Sequence, residues 1–271
     1  MEKTLFLDAG NTRVKAAGLV PGDAVRAHSG RPDGGSASGS RTWERHRLPE
    51  YDSPEFGTDL RDLCRSFDRI VLSSVKKKFQ AEDLARLLGA ERSPSRHRIL
   101  AVTRSVLTTD RHRYLTPETL GIDRYLACLG AWSLGNGPVI VSDAGTACTI
   151  DTMDAAGVYR GGVIMPGIRL LITALGSGAD GLFPVSPTLP SSWPPDSTET
   201  ALQAGTAGTF LAAWEAHVRR SQSLFPDARI WLTGGDAAFL MENSAIKTEY
   251  NAYLVFEGMR HLLEHDLEQT A

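Results

Sequence analysis

Several things are scarce in this chain. Among its 271 residues there are only three cysteines, Cys64, Cys128 and Cys148. They are scattered and never in CxxC spacing, so neither a disulfide framework nor a zinc site organises the fold. No apolar run approaches the ~18 residues needed to cross a bilayer. The opening Met1-Glu2-Lys3-Thr4-Leu5 lacks the long apolar stretch of a signal peptide. A reducing cytoplasm and no membrane partner are therefore expected. Neither sign of charge dominates: the formal net charge of −3 gives no global attraction for nucleic acid. The basic clusters Lys76-Lys77-Lys78 and Arg92–Arg98 lack interleaved aromatics and read as solvated surface. There is no GxxxxGK[ST], which excludes a Walker-type P-loop, and the histidines show no HExxH spacing. A formal GxGxxG at Gly176–Gly181 follows a predicted helix instead of a strand, so it is not a dinucleotide fingerprint.

The remaining composition is that of a globular protein, 42% hydrophobic and 23% charged, with enough chain for one large or two modest cores. Its organising stretch runs from Leu5 to Leu19. An apolar run carries Asp8 into a turn built from Gly10 and Asn11, and a second strand leaves through Val14. Glycine and asparagine tolerate left-handed backbone angles, which predicts a tight hairpin turn here. The pattern recurs at residues 139–151, where an apolar strand, Asp143, Gly145 and Thr146 precede a second strand. The two aspartates lie about half a chain apart. Two half-molecules, each opening on an acidic hairpin, predict a cleft for a nucleotide polyphosphate.

The periodicities predict strands at 3–8 and 12–20, an edge-like strand at Arg41–Leu48, and a helix at 57–67. A buried strand at Arg69–Val75, a helix at Ala81–Leu88 and a strand at Ile99–Val102 follow. A Gly/Ser-rich loop at 29–40 interrupts the first set. After a helix at 118–134 the second half opens with strands at Pro138–Ser142, Ala147–Asp151 and Gly157–Ile164, then a helix from Gly167 to Leu175. Five prolines between Pro184 and Pro195 exclude regular structure there. A helix at 197–221, a strand at Arg229–Leu232 and two more helices complete the order. This is an α/β protein with a mixed sheet in each of two halves, 1–115 and 116–271.

Phosphoryl transfer depends on positioning and on neutralising charge with cations and backbone N–H groups. Asp8 and Asp143, each at a strand end beside a glycine turn, suit cations. Asn11, Thr12, Lys15, Thr146 and Ala147 are placed for phosphates. In Tyr114–Arg124, Asp123 can accept a hydroxyl proton and Arg124 can grip a carboxylate or phosphate with two donors. Trp231–Ala237 reads as a strand entering a Gly-Gly turn, where close backbone approach suits an adenine or ribose, or is a plain connection.

DAGNTRVK at 8–15, YLTPETLGIDR at 114–124, DAGTACTID at 143–151, GGVIMPGIRL at 161–170, TGGDA at 233–237 and NAYLVFEGM at 251–259 together make the chain resemble a type III pantothenate kinase. The resemblance spans nearly the whole sequence. It implies two duplicated ribonuclease H-like (actin-like ATPase) domains with mixed sheets flanked by helices. It implies ATP-dependent phosphorylation of the terminal hydroxyl of pantothenate, the first step of coenzyme A synthesis. By the same resemblance Asp8, Ala9, Gly10, Asn11, Thr12, Arg13, Val14, Lys15 and Thr146 contact ATP. Tyr114, Gly121, Ile122, Asp123, Arg124 and Thr198 contact pantothenate, with Asp123 as proton acceptor. Asp143 matches a position for potassium or ammonium, and magnesium accompanies ATP. A homodimer that completes the substrate site is implied too. The chain departs from the family's pattern at Ala127, where asparagine is common, and at Lys76-Lys77-Lys78, where a proline is common. A neighbour in the family, the Bvg accessory factor, offers the alternative of a regulatory partner protein on a kinase fold.

Overall fold

The computed structural model describes residues 2–21, 41–89 and 98–267. The expected loop at 29–40 and all but the last residue of the 92–98 basic cluster lie outside the described residues. The chain divides into two compact units, Met1–Leu134 with Tyr253–Ala271, and Gly135–Ala252.

The first unit is built on five strands: β1 (Thr4–Ala9), β2 (Val14–Pro21), β3 (Arg41–His46), β4 (Arg69–Ser74) and β5 (Arg98–Val102). Their order across the sheet is β3-β2-β1-β4-β5. The β1–β2 and β2–β3 pairs are antiparallel, whereas β1–β4 and β4–β5 are parallel. Side chains alternate along β1 as strand geometry requires. Leu5, Leu7 and Ala9 join one buried cluster with Phe56, Leu60 and Cys64 of α1 (Phe56–Cys64) and Leu84 of α2 (Ala81–Leu87). Phe6 points the other way, edge-on to Trp43 at 5.1 Å. Asp8 shares that second face by its period-two spacing.

That second face is covered by α3 (Ile122–Ser133) and α8 (Leu254–Leu262). The two helices cross at backbone contact. A Cβ on Gly130 would run into the Leu254 carbonyl oxygen, and one on Gly258 into the Leu126 carbonyl oxygen. Glu257, buried in α8, is satisfied by Trp43 Nε1 at 2.7 Å and Arg260 Nε at 2.9 Å, as a buried carboxylate must be. This packing makes the C-terminal helix part of the first unit, so the compact units divide the chain elsewhere than the predicted halves 1–115 and 116–271. Periodicity within each segment shows an apolar face; it does not show which sheet that face meets.

The second unit repeats the plan with β6 (Val139–Ala144), β7 (Ala147–Met153), β8 (Tyr159–Pro166), β9 (Arg229–Thr233) and β10 (Glu249–Tyr250). The order is β10-β9-β6-β7-β8. Again the first three strands in chain order pair antiparallel, and the first pairs parallel with the fourth. Read from its own first strand, this is the order of the first unit, and it bears out the duplicated ribonuclease H-like plan. Between β8 and β9 lie α4 (Ile168–Gly178), α5 (Thr198–Gln203), a five-residue π-helical stretch and α6 (Thr209–Leu224). α7 (Ala237–Asn243) follows β9. Phe210, Trp214 and Val218 of α6 pack on Ile140, Ile150 and Ile230, and Trp214 Nε1 donates to Ser142 Oγ at 2.9 Å. The Gly176–Gly181 motif sits at the end of α4, outside any strand–turn–helix context. Among the described residues no helix is long and apolar enough to cross a membrane.

Candidate active site

The β1–β2 hairpin places Asp8 directly across from Lys15. Asp8 is only 4% exposed, and its Oδ2 lies 3.9 Å from Lys15 Nζ, whose side chain is 41% exposed. The lysine can therefore face an anion while partly offsetting the buried carboxylate. In the parallel direction Asp8 pairs with Ser73 of β4. The buried Ser73 hydroxyl has no hydrogen-bond partner among the described residues. A carboxylate beside an unsatisfied hydroxyl fits the outer hydration sphere of a divalent cation, since magnesium keeps several of its waters.

At the hairpin tip Gly10 N donates to Arg13 O at 3.1 Å. The expected left-handed angles are absent: neither Gly10 nor Asn11 is among the described residues with positive φ. With four residues between Ala9 and Val14, the loop closes without the two-residue turn that demands such angles. The candidate ATP contacts then separate. Asn11, Thr12 and Arg13 are exposed, whereas Ala9 and Val14 are core residues whose side chains face the α1–α2 cluster. Only their main chain is available to a nucleotide.

The lysine run 76–78, a solvated face by its sequence, divides in the structure. Lys77 and Lys78 are exposed. Lys76 is not: its Nζ donates to Asn11 O at 3.2 Å and sits 3.6 Å from the centre of the Tyr51 ring. Tyr51 Oη donates to Gly10 O at 2.9 Å. Neither residue carries a motif signal, since contact with the hairpin arises only when the segments after β3 and β4 fold against it.

The acceptor segment lies in the same unit. Gly121 is the N-cap of α3, and Asp123 and Arg124 occupy its first turn. Asp123 Oδ1 accepts the Arg124 N–H at 2.9 Å, and a carboxylate here is favoured by the helix dipole. Any Cβ at position 121 would lie 2.6 Å from that same Oδ1, so glycine leaves room for the carboxylate. Arg124 is buried. Arg104 Nε donates to Leu120 O at 2.7 Å and buttresses the approach to the cap. Tyr114 is half-buried, its N–H bound to His112 Nδ1 at 3.1 Å. Ile122 is core, and the substituted position Ala127 is buried one turn further along α3.

In the second unit β6 and β7 form the matching hairpin, with a shorter loop, in which Gly145 N donates to Ala147 O at 3.1 Å. Thr149 stands across from Asp143, where the first unit has lysine. The second hairpin thus carries its aspartate without a facing ammonium, which suits a cation. Gly234, at φ +93°, makes a close approach: a Cβ there would lie 2.5 Å from both Ala144 O and Asp143 Oδ1. Glycine here lets the end of β9 lie close against these two hairpin oxygens. The close backbone approach expected in the Trp231–Ala237 segment is therefore made to the hairpin, and Asp236 N donates to Ala144 O at 2.9 Å. Arg169 Nε pairs with Asp236 Oδ1 at 3.0 Å. Cys148, beneath the hairpin, has its thiol pushed up to about 12 by burial, with the Asp143, Asp151 and Asp236 charges adding to it. It is no nucleophile. Thr146 is exposed at the tip, and Thr198 is exposed as the first residue of α5, beside the Ser197 cap.

The family model for type III pantothenate kinase matches residues 4–220. A type III pantothenate kinase of Halorhodospira halophila is 31% identical over 97% of this chain and 98% of its own. Another, from Laribacter hongkongensis, is 33% identical over 95% and 97%. Among solved structures, a Campylobacter jejuni protein described as a conserved putative Baf family transcriptional activator superposes with a TM-score of 0.58 at 19% identity, covering 97% of this chain and 99% of that one. This likeness concerns the fold. The sequence matches span far more than any one motif, and the chain belongs to the type III pantothenate kinase family.

Proposed function

We propose that the chain transfers the terminal phosphoryl group of ATP to the primary hydroxyl of pantothenate, giving 4′-phosphopantothenate and ADP. The observation that carries this reading is the start of α3, where Gly121 leaves space for the Asp123 carboxylate beside the buried Arg124. The hydroxyl oxygen of pantothenate attacks the γ-phosphorus, and the bond from that phosphorus to the β–γ bridging oxygen breaks. The hydroxyl proton passes to Asp123. Arg124 anchors the acceptor through a charge-assisted contact, with Tyr114, Gly121, the main chain of Ile122, and Thr198 as further contacts. The hairpin at 8–15 holds the phosphates through exposed main-chain N–H groups and Lys15, and Thr146 adds a contact. Asp8, with Ser73 beside it, would hold hydrated magnesium, and Asp143 would hold potassium or ammonium. Bound there, such cations offset charge that builds on the phosphates during transfer.

Self-association fits the surface of the second unit. Ile164 on β8, Leu170 and Leu175 on α4, and Phe183 are all exposed although large and apolar. α4 buries only Ile168 and Ile172. An apolar helix left this bare is a site for a partner, and a second copy of the chain is the partner we assign.

A coupled assay of ADP release on the purified protein, with and without pantothenate, tests the activity. Release that depends on pantothenate supports the kinase. Nucleotide turnover indifferent to pantothenate, or none at all, contradicts it and favours the regulatory alternative.

A further inference from the structure

The back of the β1–β2 hairpin carries two groups that the kinase reading does not use. Tyr51 lies between β3 and α1, and Lys76 follows β4. They are 25 positions apart in sequence, yet both bind the same turn. Tyr51 Oη donates to the carbonyl of Gly10 at 2.9 Å, and Lys76 Nζ donates to the next carbonyl, that of Asn11, at 3.2 Å.

The consequence follows from peptide geometry. A trans peptide is planar, with its N–H directed opposite to its C=O. Holding the Gly10 carbonyl on one side sends the Asn11 N–H to the other. Holding the Asn11 carbonyl does the same to the Thr12 N–H. Among the described residues no backbone acceptor is paired with either N–H, and both residues are exposed. Two adjacent amides are thus left aimed away from Tyr51 and Lys76, as an anion site requires.

Both clamping groups are themselves held. The Tyr51 ring packs against Phe56 at 5.2 Å and Phe79 at 5.9 Å. The ammonium of Lys76 rests on the Tyr51 ring, 3.6 Å from its centre, so the two donors support one another. The Lys76 main chain is fixed at both ends: its N–H meets Ser74 Oγ at 3.2 Å, and its carbonyl accepts from Gln80 Nε2 at 2.6 Å. Burial, with the Asp8 charge adding to it, pushes the Tyr51 hydroxyl well above its ordinary range. It therefore remains a protonated donor at any working pH.

We propose that Tyr51 and Lys76 are positioning residues for the phosphate hairpin. They hold the Gly10 and Asn11 carbonyls so that the Asn11 and Thr12 N–H groups stay aimed at the phosphates of the nucleotide. The inference rests on the kinase reading above and adds to it two residues that act through the hairpin.

The test uses the full chain with Tyr51→Phe, which removes only the hydroxyl, and with Lys76→Met and Lys76→Arg. ATP binding is measured by calorimetry without pantothenate, beside the KM for each substrate and the melting temperature. Tyr51→Phe and Lys76→Met are expected to weaken ATP binding by roughly five- to tenfold, the size of one lost hydrogen bond. The KM for pantothenate should stay within about twofold. Lys76→Arg should restore most of the ATP affinity. A wild-type chain that binds no ATP would overturn the kinase reading itself. Wild-type binding with unaltered affinity in both Tyr51→Phe and Lys76→Met would overturn only this inference. So would equal losses for both substrates accompanied by a lowered melting temperature, which would mark a general structural role.

Discussion

At the residue scale, three aspartates look alike in sequence and differ in surroundings. Asp8 faces Lys15 across its hairpin, Asp143 faces Thr149, and Asp123 lies on no strand but opens a helix. In the proposed reading, charge partner and location separate a carboxylate for hydrated magnesium, one for a monovalent cation and one for the hydroxyl proton. If Asp123 takes the hydroxyl proton, Asp123→Asn should lower kcat by about a hundredfold or more while ATP binding persists. Turnover and calorimetry on one preparation check both halves of that statement. Asp143 is tested through its cation. Exchanging potassium and ammonium for sodium should remove most of the turnover, and full activity in sodium alone contradicts the assignment. Asp8 and Asp143 are legible from their turn chemistry, and Asp123 from its place beside Arg124 at a predicted helix start. Tyr51 and Lys76 are not, because nothing in a single sequence relates position 51 or 76 to a turn at 10–13. A run of three lysines usually marks solvent, and here it does so for two of them.

At the element scale, α3, whose first turn carries Asp123, crosses α8 at backbone contact. The crossing depends on glycines placed where the backbones touch. Gly130→Ala would drive a methyl into the Leu254 carbonyl and should cost about 2–4 kcal/mol. Gly205, in the π-helical stretch after α5, has open space where a Cβ would stand, with nothing within 4 Å. Gly205→Ala should be neutral or should stabilise by about 0.5–1 kcal/mol. Denaturant midpoints of the two variants give the comparison, and equal effects would deny the close crossing. The strands from β1 to β9 are readable to within a few residues, since period-two alternation and β-branched runs mark them directly, whereas the two-residue β10 is too short to show a period. The helix expected at 118–134 begins instead at Ile122. Pro117–Thr119 forms a separate single turn, ending where Gly121 resets the backbone as N-cap. Short turns of this kind carry too few residues to show a period.

At the scale of the whole molecule, duplication is the governing fact. Two sheets with the same strand order each open on an Asp-bearing hairpin. The sequence shows this through the recurrence of the hairpin at half-chain spacing. The capture of the C-terminal helix by the first unit leaves no such trace, because a C-terminal amphipathic helix fits either sheet equally well on pattern alone. The bare apolar surface of α4 bears on assembly. Replacing Leu170 and Leu175 together by aspartate should convert a dimer to monomer in light scattering and leave each unit's melting behaviour close to wild type, since neither side chain is core.

In the proposed reaction this chain places a phosphate on one hydroxyl of one acceptor. Phosphorus NMR of the product formed from ATP and pantothenate tests it most directly. A phosphate ester on the primary hydroxyl is expected, formed in step with ADP and strongly reduced with Asp123→Asn. ADP appearing with inorganic phosphate and unmodified pantothenate would contradict it.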